Sequence, residues 1–480
     1  MKKWLFAFSM AGLLALTGCS RPAPEEETSP AETETVEEAP VEEETSGIKV
    51  IENVGPDKNR TVSLRIVDEN NPALPGREAV KVRGIYISGP MAGSTELFQN
   101  ILDSAAGTEI NTVVIDFKDD QGRITCPVDS PVESEIGACR PYVQDMKELI
   151  ASLKERGLYV IARVVAFRDP WLAEKKPEWS LHLADGSLYR DRQGMAWVDP
   201  YRKEVWDYLV EVGTEAKEAG FDEVQFDYIR FSTEGTMRDV VFDEAVTGGR
   251  SKTDVITEFV KYAYENLASQ GLFVSADVFG TIIGSDIDAQ AVGQVYTEMA
   301  KHLDYICPMI YPSHYGPGNL GLAVPDAQPY ETIYRSMGAS REVLAGMRKD
   351  ANGQQVSGND ASAGGVSADG EAGDASGNGI DGNEVPANGN AGNAVSANEI
   401  PADEKPGDGT SGNEISGNEI LSPRDMEPAE EIRADVRPWL QDFTASWVPG
   451  HIKYGPEEIR AQIQAVYDAG YEEWILWNAS

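Results

Sequence analysis

The chain reads as an α/β protein built on a single (β/α)8 TIM barrel. Three observations lead there. From residue 83 onward, short β-branched runs alternate with amphipathic helical stretches, the pattern of a parallel sheet covered by helices. Eight such units can be marked off, the number that closes a barrel. Glycines at 157, 220, 271 and 470 fall just past four of the helical stretches, where a left-handed residue ends a helix. An open doubly wound sheet would instead carry a glycine-rich phosphate loop after its first strand. Ser88-Gly89-Pro90-Met91-Ala92-Gly93 does not have that form.

Residues 1–18 begin with Lys2 and Lys3 and run into an apolar stretch shorter than the roughly 20 residues that span a bilayer. They read as an export signal. Leu16-Thr17-Gly18-Cys19 has the form of a bacterial lipobox, so Cys19 is expected to carry lipid and to hold the protein at the extracellular face of the cell membrane. Residues 19–46 are rich in Glu, Pro and Thr. Such a segment buries too little apolar surface to offset its ordering entropy, and an acidic disordered stalk is expected. Residues 47–81 form an N-terminal extension in which 61–67 alternates like a strand.

The barrel is expected over 82–348 and 435–480. Its strands are predicted at 83–88, 112–118, 159–164, 223–229, 273–278, 305–311, 438–443 and 473–477, with helices at 142–156, 202–219, 253–270, 330–347 and 456–469. Residues 349–434, between helix six and strand seven, are rich in Gly, Asn, Ala, Ser and Asp. A degenerate motif recurs there, as Val356-Ser357-Gly358-Asn359 and Ile415-Ser416-Gly417-Asn418. Each copy is too short and polar to bury a face, so a disordered insert is predicted rather than a solenoid. A helix-to-strand connection lies at the barrel face opposite an active site.

The formal net charge of −39 excludes nucleic acid, whose binding rests on Lys and Arg contacts to phosphate. The expected partners are a carbohydrate and, through the lipid anchor, the membrane; the protein is expected to be a monomer. Of the four cysteines, Cys307 sits in an apolar strand, while Cys126 and Cys139 flank one loop. Export permits a disulfide between those two, and one is predicted.

In such a barrel the reacting groups gather where strands end. Strand two ends in Asp116 and Lys118, strand three holds Arg163, and strand four ends in Asp227 and Arg230. Strand five ends in Asp277, strand six in Tyr311 and His314, strand seven in Asp442, and strand eight in Trp477 and Asn478. Two carboxyl groups flanking a glycosidic bond can hydrolyse it, one protonating the leaving oxygen and the other attacking carbon or activating water. Asp227 and Asp277 close adjacent strands and are the predicted catalytic pair. Asp116, Lys118, Arg163, Arg230, Tyr311, His314, Asp442, Trp477 and Asn478 are predicted to bind substrate. Trp171, Trp179, Trp197, Trp447 and Trp477 lie on the loop side as candidate sugar platforms. The four histidines are widely separated and form no H-E-x-x-H, so no metal and no cofactor is expected.

Val82-Arg83-Gly84-Ile85-Tyr86, Val114-Ile115-Asp116-Phe117-Lys118-Asp119, Ala162-Arg163-Val164-Val165-Ala166-Phe167, Gln225-Phe226-Asp227-Tyr228-Ile229-Arg230-Phe231 and Arg437-Pro438-Trp439-Leu440-Gln441-Asp442-Phe443 together resemble the bacterial putative glycosyl hydrolase domain family. The resemblance covers 82–478 apart from the insert. It implies a barrel of the broad α-amylase-like kind, in which the nucleophile is an Asp ending strand four, the place of Asp227. Asp277 stands where those enzymes typically carry a Glu, and Gln225 where they usually carry Arg. The strand-four motif also faintly resembles that of chitinases, whose catalytic Glu would fall at Ile229. The expected function is hydrolysis of an extracellular or cell-wall polysaccharide. The alternative is a barrel that binds carbohydrate or cell wall without turnover.

Overall fold

The computed structural model describes residues 62–65, 77–347 and 422–478. The predicted signal segment, the lipidation residue Cys19, the acidic stalk and residues 349–421 of the predicted insert lie outside them.

Eight parallel strands close on themselves: β1 (Arg83–Ile87), β2 (Thr112–Lys118), β3 (Tyr159–Val165), β4 (Glu223–Asp227), β5 (Phe273–Phe279), β6 (Tyr305–Ile310), β7 (Trp439–Gln441) and β8 (Trp474–Trp477). Each pairs with the next, β8 pairs with β1, and β7 with β6 completes the ring. Helices connect successive strands, including Lys203–Ala219 and Lys252–Ala268. Gly220 ends the first of these with φ +102, as its sequence position predicts.

Side chains alternate between two cores, the period-2 consequence of the pleat. Val113, Ile115 and Phe117 of β2 face the helices. Val114 faces the barrel axis with Ile161, Cys307, Trp439 and Ile475. The end of the barrel at which the strands begin is closed by charge as well as by apolar packing. Arg437 is fully buried there, ion-paired with Glu223 at 2.8 Å and Glu473 at 2.9 Å and lying over the Tyr305 ring. Beneath it, Val62–Arg65 pairs antiparallel with Arg77–Val80. Arg77 bonds Asp304 at 2.6 and 2.8 Å, and Ala79 and Val80 join the axial core. The strand Arg77–Val80 covers this end of the barrel.

Three differences from the sequence reading have a plain physical cause. β4 stops at Asp227 rather than 229, because Tyr228 takes φ +51 and turns the chain out of the sheet. The seventh strand is broken. Asp435–Val436 pairs with the start of β6, and β7 resumes only at Trp439. Pro438 sits between them, and a proline has no N–H to give to a ladder. Residues 422–434, assigned to the insert, belong to the folded part: Ala429 N donates to Leu344 O and Arg433 N to Ala300 O.

Candidate active site

β2 carries the site's first irregularity. Its register with β3 shifts between Asp116 and Lys118. Asp116 therefore faces the axis, while Lys118 turns into the helix layer instead of following it. Lys118 Nζ lies 2.8 Å from Asp169 and 2.6 Å from Val165 O, all fully buried. The chain then turns at Gly122, with φ +73, where a Cβ would stand 2.0 Å from Asp169 Oδ1. Asp119 fastens this turn by accepting from Gln121 N and Arg123 N at 2.9 Å.

Arg163 of β3 is the centre of the site and is wholly buried. It donates to Asp116 at 2.7 Å, to Asp227 at 2.5 and 3.0 Å, and to Asp120 at 3.3 and 3.5 Å. Asp116 also accepts from Tyr86 Oη at 2.6 Å, and Asp227 from Tyr228 N at 2.6 Å. Asp277 of β5 takes no bond from Arg163. Trp439 Nε1 donates to it at 2.6 Å.

One guanidinium thus serves three carboxyl groups, with a fourth beside them. Burial, opposed by Arg163 and reinforced by Asp120, pushes Asp116 up to about 6. Burial and then the charge of Asp227 push Asp277 well above the carboxylate range, which favours its protonated form. Tyr311 is raised by burial and by Asp277 and Asp227, which places its hydroxyl in the same field. Trp477 stacks on Tyr86 with centroids 4.1 Å apart, and the Arg163 guanidinium lies 5.2 Å from the Trp477 ring.

Asp116, Arg163, Asp227, Asp277, Tyr311 and Trp477 are therefore brought together. The other predicted site residues are placed at the periphery or elsewhere. His314 packs edge-on against Tyr311 at 5.0 Å. Asp442 is half-buried; burial raises its pKa and a bond from the Asn478 side chain opposes that rise. Arg230 lines a side cavity. Lys118 is removed from the site by the register shift. Cys126 and Cys139 are separate thiols rather than the predicted disulfide. Burial pushes both up to about 12, so neither is an activated thiolate, and the Cys139 backbone is held by Glu133 at 2.5 Å. Of the predicted platforms, Trp171 is a packing residue under Arg123, bonded to Ile136 O. Trp447 is exposed and stacked on Phe443.

With this geometry in place, the comparison with protein families is decisive. The family model described as putative glycosyl hydrolase domain matches residues 84–353 and 416–480. The chain belongs to that family. Among solved structures, this glycosyl hydrolase domain protein is similar to a hypothetical protein from Ruminiclostridium thermocellum. The two are 40% identical over 40% of this chain and 97% of the other, with a TM-score of 0.38. It is also similar to the PgaB (BpsB) glycoside hydrolase domain from Bordetella bronchiseptica, at 11% identity over 83% and 94% of the two chains and a TM-score of 0.47. An exo-β-N-acetylglucosaminidase from Vibrio harveyi matches at 16% identity over 49% and 44%, with a TM-score of 0.36. No curated protein matches.

Tyr86, Asp120 and Trp439 belong to the site and were not predicted. Tyr86 lies near the end of β1 on the inward parity of the other site residues, and that signal was available. Asp120 lies beyond the shift in β2, where parity no longer points anywhere. Trp439 reaches Asp277 from two strands away around the ring, which only closure of the barrel reveals.

Proposed function

We propose that this protein is a glycoside hydrolase acting on an extracellular or cell-wall polysaccharide through two carboxyl groups. The observation that carries the reading is the contrast between Asp227 and Asp277. One is bonded twice by a guanidinium. The other is kept protonated by burial and by its neighbour's charge. A raised pKa beside a carboxyl group bound by a guanidinium suits Asp277 to the acid's role and leaves its neighbour the other. Asp277 gives its proton to the glycosidic oxygen as the bond to the anomeric carbon breaks. Asp227 attacks that carbon or takes a proton from the attacking water. Beside the protonated Asp277, three carboxyl groups share one arginine, so the site is electronegative and an oxocarbenium-like transition state is stabilised there.

The test is a screen of the purified protein against fragmented cell-wall and capsule polysaccharides. Asp227→Asn should lower turnover on the substrate found by about 10³-fold or more, with little change in unfolding temperature. Wild-type rates in that variant would remove Asp227 from the mechanism.

A second reading, a barrel that binds glycan without turnover, is favoured by one observation. Both oxygens of Asp227 already accept hydrogen bonds, and Asp227 and Asp277 are only 7% and 2% exposed. It predicts saturable binding to a polysaccharide that is recovered uncut.

We further propose that Cys19 is lipidated and holds a monomeric protein at the outer face of the cell membrane. The support is Leu16-Thr17-Gly18-Cys19 following a short apolar stretch. Cys19→Ala should shift the protein from the detergent phase to the aqueous phase on partition; an unchanged distribution would refute the anchor.

A further inference from the structure

Trp439 is the first residue of β7, directly after the proline at the break in that strand. Its side chain joins the axial core, is 1% exposed, and crosses β6 to reach β5. Trp439 pairs with Met309 of β6, and Cys307 of the same strand pairs with Asp277. The indole is held by its neighbours. It meets Trp477 edge to face at 5.5 Å, Trp477 stacks on Tyr86, and Tyr86 bonds Asp116, which Arg163 joins to Asp227. A line of contacts thus runs from Asp277 through β7, β8, β1, β2 and β3 to Asp227 on β4, the strand next to β5.

An indole N–H donates and cannot accept. At 2.6 Å it bonds Asp277 Oδ1, and in a protonated carboxyl group the carbonyl oxygen is the better acceptor. The hydroxyl then falls on Oδ2, which has no hydrogen-bond partner among the described residues and is not sealed from water. The ionisable groups that face Asp277 are Asp227 and Glu223 from β4, Arg163 from β3, Cys307 from β6 and Tyr311 just past it. Among the described residues, Trp439 is the side chain that tells its two oxygens apart. The bond by itself favours the ionised form, and burial together with Asp227 more than offsets it.

We propose that Trp439 is the positioning residue of the general acid: its N–H holds Oδ1 as the carbonyl oxygen, so the proton that goes to the glycosidic oxygen sits on Oδ2. The proposal rests on the hydrolase reading in giving Asp277 the acid's role. As the Oδ2–H bond breaks, its electron pair stays on Asp277 and the proton joins the glycosidic oxygen, which keeps the pair of its bond to the anomeric carbon. The carboxylate left behind is negative, and the N–H bond to it strengthens. Trp439 thus favours the transfer twice, by aiming the proton and by stabilising what the transfer leaves.

The test compares the full-length wild type with Asp277→Asn and with Trp439→Phe, which keeps an aromatic ring and loses the donor. In infrared spectra near neutral pH, the wild type should show the carbonyl stretch of a protonated carboxyl group that Asp277→Asn lacks. In Trp439→Phe that band should move to higher wavenumber, because its oxygen has lost a donor. No such band, or a band that Trp439→Phe leaves in place, would overturn the proposal whether or not the protein turns over a glycan. On the glycan found by the screen, Trp439→Phe should lower kcat about tenfold with KM unchanged. Cleavage of activated aryl glycosides should fall at most about twofold, and the alkaline limb of kcat/KM should move up by about 0.5–1 pH unit. Equal losses on both substrates with that limb unmoved would mark a purely structural role and overturn the proposal too. If Trp439→Phe does not fold, the wild type decides: one indole N–H resonance, displaced in Asp277→Asn, should shift as Asp277 titrates, and its absence would overturn the proposal. A band that shifts in a protein that cleaves no glycan would remove the hydrolase reading and leave the proton on Oδ2.

Discussion

Asp277 owes its proposed role to what surrounds it. Trp439 fixes one oxygen, and burial beside Asp227 keeps the proton in place. A general acid matters most when the leaving group is poor. Asp277→Ala should therefore reduce cleavage of natural glycans at least tenfold more than cleavage of activated aryl glycosides, with azide restoring part of the rate on the latter if the enzyme retains configuration. Equal losses on both substrates, without rescue, would exclude Asp277 as the donor. Asp116 gives a separate prediction, read in stability. In the fold its carboxyl titrates at about 6, against an ordinary value near 4. Between those values the folded protein binds more protons than the unfolded chain. Its contribution is complete below about pH 4 and is lost as pH rises through about 6, a fall of roughly 2–3 kcal/mol. Asp199, also pushed up to about 6, adds a similar slope. Denaturant unfolding at pH 4.5 and 7 should show a smaller fall in Asp116→Asn than in the wild type. Equal falls would mean that Asp116 is not the titrating group.

At the level of single elements, the register shift in β2 divides what strand parity can and cannot reveal. All eight predicted strands run within two residues of the observed ends because their β-branched periodicity is intact, and Asp116, Arg163, Asp227 and Asp277 follow from it. Lys118 has the same parity as Asp116 and was placed in the site. One irregularity sends it to Asp169 instead. No local composition marks that shift, and the partner lies 51 positions away along the chain. The β4 turn at Tyr228 and the break at Pro438 are of the same kind, although the proline was visible. The misplacement has a testable corollary. Lys118 and Asp169 form a fully buried ion pair, and removing one partner strands the other charge. Lys118→Ala should cost roughly 3–5 kcal/mol of unfolding free energy. Lys118→Met with Asp169→Asn should recover much of it, because asparagine can still accept from Leu172 N and cap the helix Pro170–Lys175. A Lys118→Ala protein of wild-type stability would show that the pair is not structural.

Across the whole molecule, the two ends of the barrel are specialised. The carboxyl cluster lies where the strands finish. The long low-complexity segment leaves and returns beside the end of helix Pro329–Leu344, where Arg341 bonds Met426 O and Leu344 O accepts from Ala429 N. That helix runs back from the site, so the segment joins the barrel on the far side. Replacing 350–421 with a short Gly-Ser linker should leave the unfolding transition cooperative and kcat/KM unchanged, because loop closure changes slowly with length. Loss of cooperativity would place a structural element within the segment. The charge inventory follows the same division. The chain carries a formal charge of −39, yet Arg163, at the heart of the site, is fully buried against Asp116 and Asp227, which are themselves nearly so, and only Asp120 of its partners reaches water. Ions in the medium screen charges that water reaches and leave enclosed ones largely untouched. Brackish or dilute surroundings will therefore alter how this acidic protein meets its neighbours, while the field around Arg163 stays nearly constant: the barrel wall acts as an insulator, and the electrostatics of the cluster belong to the fold rather than to the medium.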